Sequence, residues 1–147
     1  MLPLGEWMGF YGERTHSARE RALVGGTRAG GSHERWPSDT GWRHRLGSRG
    51  ADEQVYHEPD ERYWVAVGRT RSHAYVIIAA GSAVTSEMRY ADASDPAASF
   101  TTVLARRDGV EYSVEHAVVD GEDRFLILHN DGAVNFTLVD APVADPA

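Results

Sequence analysis

The chain contains no cysteine, which excludes disulfide bridges, thiol catalysis and thiolate metal sites. That absence suits a reducing compartment. Long apolar runs are missing too, since no segment approaches the roughly 18 continuous apolar residues that span a bilayer. No membrane partner is expected. The start, Met1-Leu2-Pro3-Leu4-Gly5-Glu6-Trp7, carries an acid and a proline where a secretory signal needs a basic flank and an apolar stretch. The expected location is the cytoplasm. Positive charge is also in deficit: 15 Lys+Arg against 22 Asp+Glu leave a formal charge of -7, so no nucleic-acid partner is expected. An acidic surface of this kind reads first as a solubility device, with cationic peptides as the chemistry it would favour.

Sustained periodicity is absent from residues 1–32, which contain the glycine pairs Gly25-Gly26 and Gly30-Gly31 and the scattered arginines Arg14, Arg19, Arg21 and Arg28. A helix over 17–24 would have two turns, too few to stand alone in water. The expectation for 1–32 is a disordered or unrelated leader.

From Gly41 onward short β-rich runs alternate with turn residues. Strands are expected over 63–67, 74–80, 87–91 and 100–104, then over 110–118, 124–129 and 135–139. Residues 42–46 and 54–57 read as the last two strands of a preceding unit. Asp108-Gly109, Asp120-Gly121 and Asp131-Gly132 offer the positive φ that tight connections need. No helix is expected.

The two series repeat. Tyr75-Val76-Ile77-Ile78 precedes Phe125-Leu126-Ile127-Leu128 by 50 residues, and Met88-Arg89-Tyr90-Ala91-Asp92 precedes Phe136-Thr137-Leu138-Val139-Asp140 by 48. A period near 50 with four strands per unit is the pattern of β-propeller blades. The second strand of each unit is apolar on both faces, as it must be when neighbouring sheets cover it from both sides. Val110, Tyr112 and Val114 alternate instead with Glu111, Ser113 and Glu115, giving one wetter face.

Few chemical motifs stand out. A serine hydrolase places its nucleophile on a Gly-x-Ser-x-Gly elbow beside a base and an oxyanion hole, and no such string occurs. Ser72-His73 and 113–116 lie on or beside expected strands, so no catalytic residue is assigned. His44, His57, His116 and His129 lack the HExxH spacing and fall on different units, so they read as sheet histidines and no metal or cofactor is expected. Asp92, Ser94, Asp95 and Pro96 read as a capped turn, because the twelve-residue calcium-loop pattern is absent. Arg69, Arg71, Arg106 and Arg107 form a candidate cluster for a peptide carboxylate or another domain, set against plain solvated loop charge. Trp42, Tyr63, Trp64, Tyr75 and Tyr90 read as strand core before they read as a stacking platform.

Particular strings resemble the oligopeptidase B branch of the prolyl oligopeptidase family. They are Trp42-Arg43-His44-Arg45-Leu46-Gly47, Glu58-Pro59-Asp60-Glu61-Arg62-Tyr63-Trp64-Val65, Thr85-Ser86-Glu87, Glu111-Tyr112-Ser113-Val114-Glu115-His116 and Asp123-Arg124-Phe125-Leu126-Ile127-Leu128-His129-Asn130. His33-Glu34-Arg35-Trp36-Pro37 resembles the approach to the first of them. The resemblance implies a seven-bladed propeller over an α/β-hydrolase domain that cuts short peptides after basic residues. It covers only part of one blade, all of a second and most of a third. The expected fold is therefore all-β: about two to three antiparallel four-stranded blades over 33–147, after the leader. The family's catalytic and basic-residue-binding positions lie mainly in the hydrolase domain, so none transfers to a residue here and no substrate-binding residue is assigned.

The expected function is that of propeller blades gating access to a serine oligopeptidase, inactive alone. The partner would be a separately encoded hydrolase domain, or further copies joined through the open blades. The rival reading is a non-catalytic β-sheet module that pairs with another chain.

Overall fold

The computed structural model describes residues 15–16, 22–27, 39–45, 47 and 49–146. It holds eleven strands and, among the described residues, no helix. They are β1 (Thr15–His16), β2 (Ala22–Thr27), β3 (Thr40–Arg45), β4 (Glu53–His57), β5 (Trp64–Arg69), β6 (Tyr75–Gly81), β7 (Ser86–Asp92), β8 (Thr101–Thr102), β9 (Tyr112–Val119), β10 (Glu122–His129) and β11 (Thr137–Pro142). All nine strands expected from the pattern are present. They form three antiparallel meanders in the orders β1-β2-β3-β4, β5-β6-β7-β8 and β9-β10-β11. This is the partial propeller that the repeat implied.

The first sheet reaches further toward the N-terminus than expected. β1 and β2 fall inside the stretch read as a leader, yet β2 pairs along β3 from Ala22↔Arg45 to Thr27↔Thr40. The edge of β3 offers backbone donors and acceptors to any extended partner, and this ladder does not require side-chain alternation. Gly25 and Gly26 mask the strand pattern of β2 because they contribute no side chain to read. The other residues of 1–32 lie outside the described residues.

The 50-residue offset between β6 and β10 needs a correction of one residue. Val76 and Ile78 enter the core shared with the first sheet, whereas Phe125 and Ile127 enter the core shared between the second and third sheets. The residues that occupy equivalent positions are thus 49 apart. A slip of one residue turns every side chain to the opposite face. Both strands are apolar at every step, so the sequence pattern carries no parity to prevent the slip. Leu126 and Leu128 consequently face away from the second sheet, and Leu128 is 43% exposed.

The connections behave as their chemistry predicts. Asp120 and Gly121 both have positive φ, +52° and +84°, the combination a two-residue hairpin turn between right-twisted strands requires. At Asp108-Gly109 and Asp131-Gly132 only the glycine is positive. The second sheet is covered on both sides, with Val65, Val67, Val76 and Ile78 against the first and Tyr75, Met88 and Tyr90 against the third.

Candidate functional site

Two polar clusters span the gaps between sheets, at opposite ends of the strands. The first lies at the β5–β6 turn. There the Ser72 hydroxyl sits 2.9 Å from Nδ1 of His116 on β9, and His116 Nε2 sits 3.0 Å from Asp123 on β10. The imidazole is buried, with 2% of its side chain exposed, and packs edge-on against Tyr75 and Phe125. Sequence reasoning did not find this relay, because Ser72 and His116 lie 44 residues apart and only the packing of two sheets joins them, while Asp123 meets His116 across the β9–β10 hairpin.

The relay has the residue types of a hydrolytic triad without its surroundings. A triad needs free amide donors aimed at a developing oxyanion. Three amides of this turn are committed: Arg71 N–H donates to Glu115 Oε2 at 3.0 Å, His73 N–H to the Thr70 carbonyl at 2.9 Å and Ala74 N–H to Ser72 Oγ at 3.2 Å. Ser72 Oγ also lies 2.9 Å from Thr70 Oγ1. The group therefore pins the turn to the third sheet.

The second cluster lies at the other end, where the β4–β5 and β8–β9 connections meet. Glu58, with 3% of its side chain exposed, pairs with Arg106 and accepts from Tyr56 Oη at 2.8 Å and the Asp60 amide at 3.2 Å. The Arg106 guanidinium lies 3.8 Å from the centroid of the Tyr63 ring, and the Arg106 amide donates to Glu87 at 3.3 Å. Glu87 accepts from Arg89 at 2.8 Å, and Arg89 lies 4.9 Å from the centroid of the Tyr56 ring. Burial pushes the Glu58 carboxyl up, but the hydrogen bonds from Arg106, Tyr56 and Asp60 outweigh it and hold the group below the ordinary carboxylate range. Burial, with the hydrogen bond to Glu58, pushes the Tyr56 phenol up to about 12. Nearby, Arg62 holds half-buried Asp60 down to about 2 through side-chain and backbone hydrogen bonds.

The remaining candidates resolve singly. His44 pairs with Asp52 at 2.7 Å, His57 lies 3.3 Å from the Thr40 hydroxyl and His129 accepts from the Asp131 amide at 3.2 Å. With His116 in the relay, the four histidines stay apart, and no group of three or more His, Cys, Asp or Glu among the described residues could hold a metal. Asp92 and Asp95 cap their turns by accepting from Ser94 N–H at 2.7 Å and Ala97 N–H at 2.8 Å. The four arginines do not form one cluster. Arg69 and Arg71 flank the β5–β6 turn, whereas Arg106 binds Glu58 and Arg107 binds Asp131 at the opposite end. Tyr75 and Tyr90 are core, edge-on to Phe125 at centroid distances of 5.5 and 4.9 Å, while Trp64 is 44% exposed.

Residues 28–147 match the family described as prolyl oligopeptidase, N-terminal beta-propeller domain. The chain is 38% identical over 105 residues to Protease 2 of Moraxella lacunata, a match covering 71% of this chain and 15% of that protein. It is 39% identical over 101 residues to Dipeptidyl aminopeptidase BI of Pseudoxanthomonas mexicana, covering 67% and 13%. Among solved structures, oligopeptidase B from Trypanosoma brucei with covalently bound antipain superposes with a TM-score of 0.77 at 25% identity, over 92% of this chain and 19% of that one. Oligopeptidase B from Leishmania major gives 0.76 at 24% identity, a likeness of fold. The chain thus spans 15% or less of the length of these sequence relatives.

Proposed function

Because the chain belongs to the prolyl oligopeptidase family, as part of its N-terminal β-propeller domain, we propose that it is the gating portion of a serine oligopeptidase and does no chemistry alone. The peptidase is of the oligopeptidase B kind, acting after basic residues in short peptides. Its propeller restricts which chains reach a buried catalytic domain. Identity to Protease 2 and the superposition on oligopeptidase B favour this branch. The absence of cysteine is compatible with a reducing compartment such as the cytoplasm.

One observation carries the gating reading. The only Ser–His–Asp arrangement among the described side chains, Ser72 with His116 and Asp123, has the Arg71, His73 and Ala74 amides of its turn spent on other acceptors. With these donors spent, the purified chain is expected to show no hydrolysis of arginyl or lysyl chromogenic peptides above a buffer blank. Turnover that survives repurification, is abolished by a serine-directed inhibitor and is lost in Ser72→Ala would contradict it.

A second reading, a β-sheet assembly module, is favoured by the distribution of exposed apolar groups. Of nine large exposed hydrophobic residues among those described, seven lie between Val118 and Val139 on the third sheet and its turns. A hydrolase-domain reading frame beside this one supports the gate. An intact operon around a short gene supports the module.

A further inference from the structure

We infer that the gap between the first and second sheets is a polar latch, closed by Glu58 and Arg106, which lets the first sheet part from the second while the second and third stay together.

Among the described side chains, the two gaps differ in how much apolar surface each partner contributes. Between the second and third sheets, Val103, Tyr112, Val114, Phe125, Ile127 and Val143 are buried and pack with Tyr75, Met88 and Tyr90. Both partners contribute large apolar groups, and separating them would expose all of these at once. Between the first and second sheets, the fully buried members Val65, Val67, Val76, Ile78 and Ala93 all belong to the second sheet and its β7–β8 turn. Of the described side chains of the first sheet, only half-buried Val55 and Tyr56 pack against that core. Gly41 lets Ile78 approach closely, since a Cβ there would lie 3.4 Å from the Ile78 methyl, but it adds no apolar surface of its own.

Polar groups make the remaining described crossings. Arg43 Nη1 donates to the Ala98 carbonyl at 2.8 Å, Arg89 stacks on Tyr56, and Arg106 binds Glu58. Arg106 stands on the β8–β9 connection and Glu58 opens the β4–β5 connection, so this one pair ties two successive inter-sheet linkers. Its satisfaction is incomplete. The buried Nε–H groups of Arg89 and Arg106 find no hydrogen-bond partner among the described residues. Without Arg106, the Glu58 carboxylate would be buried without its counter-charge, and it regains solvation when the gap opens.

Regional hydrogen exchange on the full chain tests this, comparing wild type with Arg106→Gln and Tyr56→Phe. Tyr56→Phe keeps the ring beneath Arg89 and removes only the hydrogen bond to Glu58. Arg106→Gln is expected to speed exchange of β4 and β5 about tenfold or more while leaving β10 within about twofold of wild type. Tyr56→Phe should produce the same regional pattern at smaller amplitude, and it decides the matter if Arg106→Gln does not fold. Equal acceleration in all three sheets, or unchanged exchange in β4 and β5, would overturn the latch.

Discussion

β6 and β10 occupy equivalent positions in consecutive sheets and are written in the same apolar alphabet, yet they are buried differently. In β6, Val76, Ile77 and Ile78 are all at or below 9% exposure, because sheets cover both sides. In β10, Phe125 and Ile127 are at 0% and 1%, while Leu128 is 43% exposed. Leu138, opposite Leu128 on β11, is 61% exposed on the same uncovered side. The difference arises from the neighbour and not from the strand. A residue pattern that specifies burial on two faces has one face unspent, which is how a blade lacking its next blade should look.

Substitution can break or sharpen that contrast. Phe125→Ala should cost about 3–5 kcal/mol in denaturant unfolding, because a fully buried aromatic leaves a cavity that the surrounding rings only partly fill. Leu128→Ala should cost less than about 1 kcal/mol, since much of that side chain is already in water. Comparable losses would show that the outer face is covered in solution.

A smaller effect is expected with pH. Glu58 has a lowered carboxyl in the folded state, so the stability it contributes is present above the ordinary glutamate value, about 4.3, and is lost as pH falls through the folded value. Acid should therefore lower the unfolding midpoint of wild type more than that of Glu58→Gln. The side chains that bond Glu58, the Tyr56 phenol and the Arg106 guanidinium, do not titrate in this range. Parallel acid profiles for the two proteins would remove Glu58 from the account.

The smallest expected effect concerns turns. Gly121→Ala, at φ +84°, should cost about 1 kcal/mol, whereas Gly81→Ala, whose Cβ would meet Trp64 at an ordinary 3.6 Å, should be near neutral in thermal unfolding.

Much of the fold could be read from the sequence, because alternating runs and Asp-Gly turns are local signals. The nine strands after Gly41 followed from them, as did the absence of helix among the described residues. What could not be read depended on parity or on distant contacts. The parity of β10 was hidden because Phe125-Leu126-Ile127-Leu128 gives no polar face to orient it, and Leu126 and Leu128 therefore read as core. β2 was hidden by its glycines. Both polar clusters were hidden because Ser72 with His116, and Glu58 with Arg106, lie 44 and 48 residues apart and meet only where sheets stack.

Sedimentation of the purified chain with a hydrophobic dye tests most directly whether the outer face of the third sheet is a docking face for another sheet. The account predicts dye binding and self-association, both reduced in a Leu128→Glu/Leu138→Glu variant whose folded stability is nearly unchanged. A dye-negative monomer that unfolds with sharp cooperativity would contradict it.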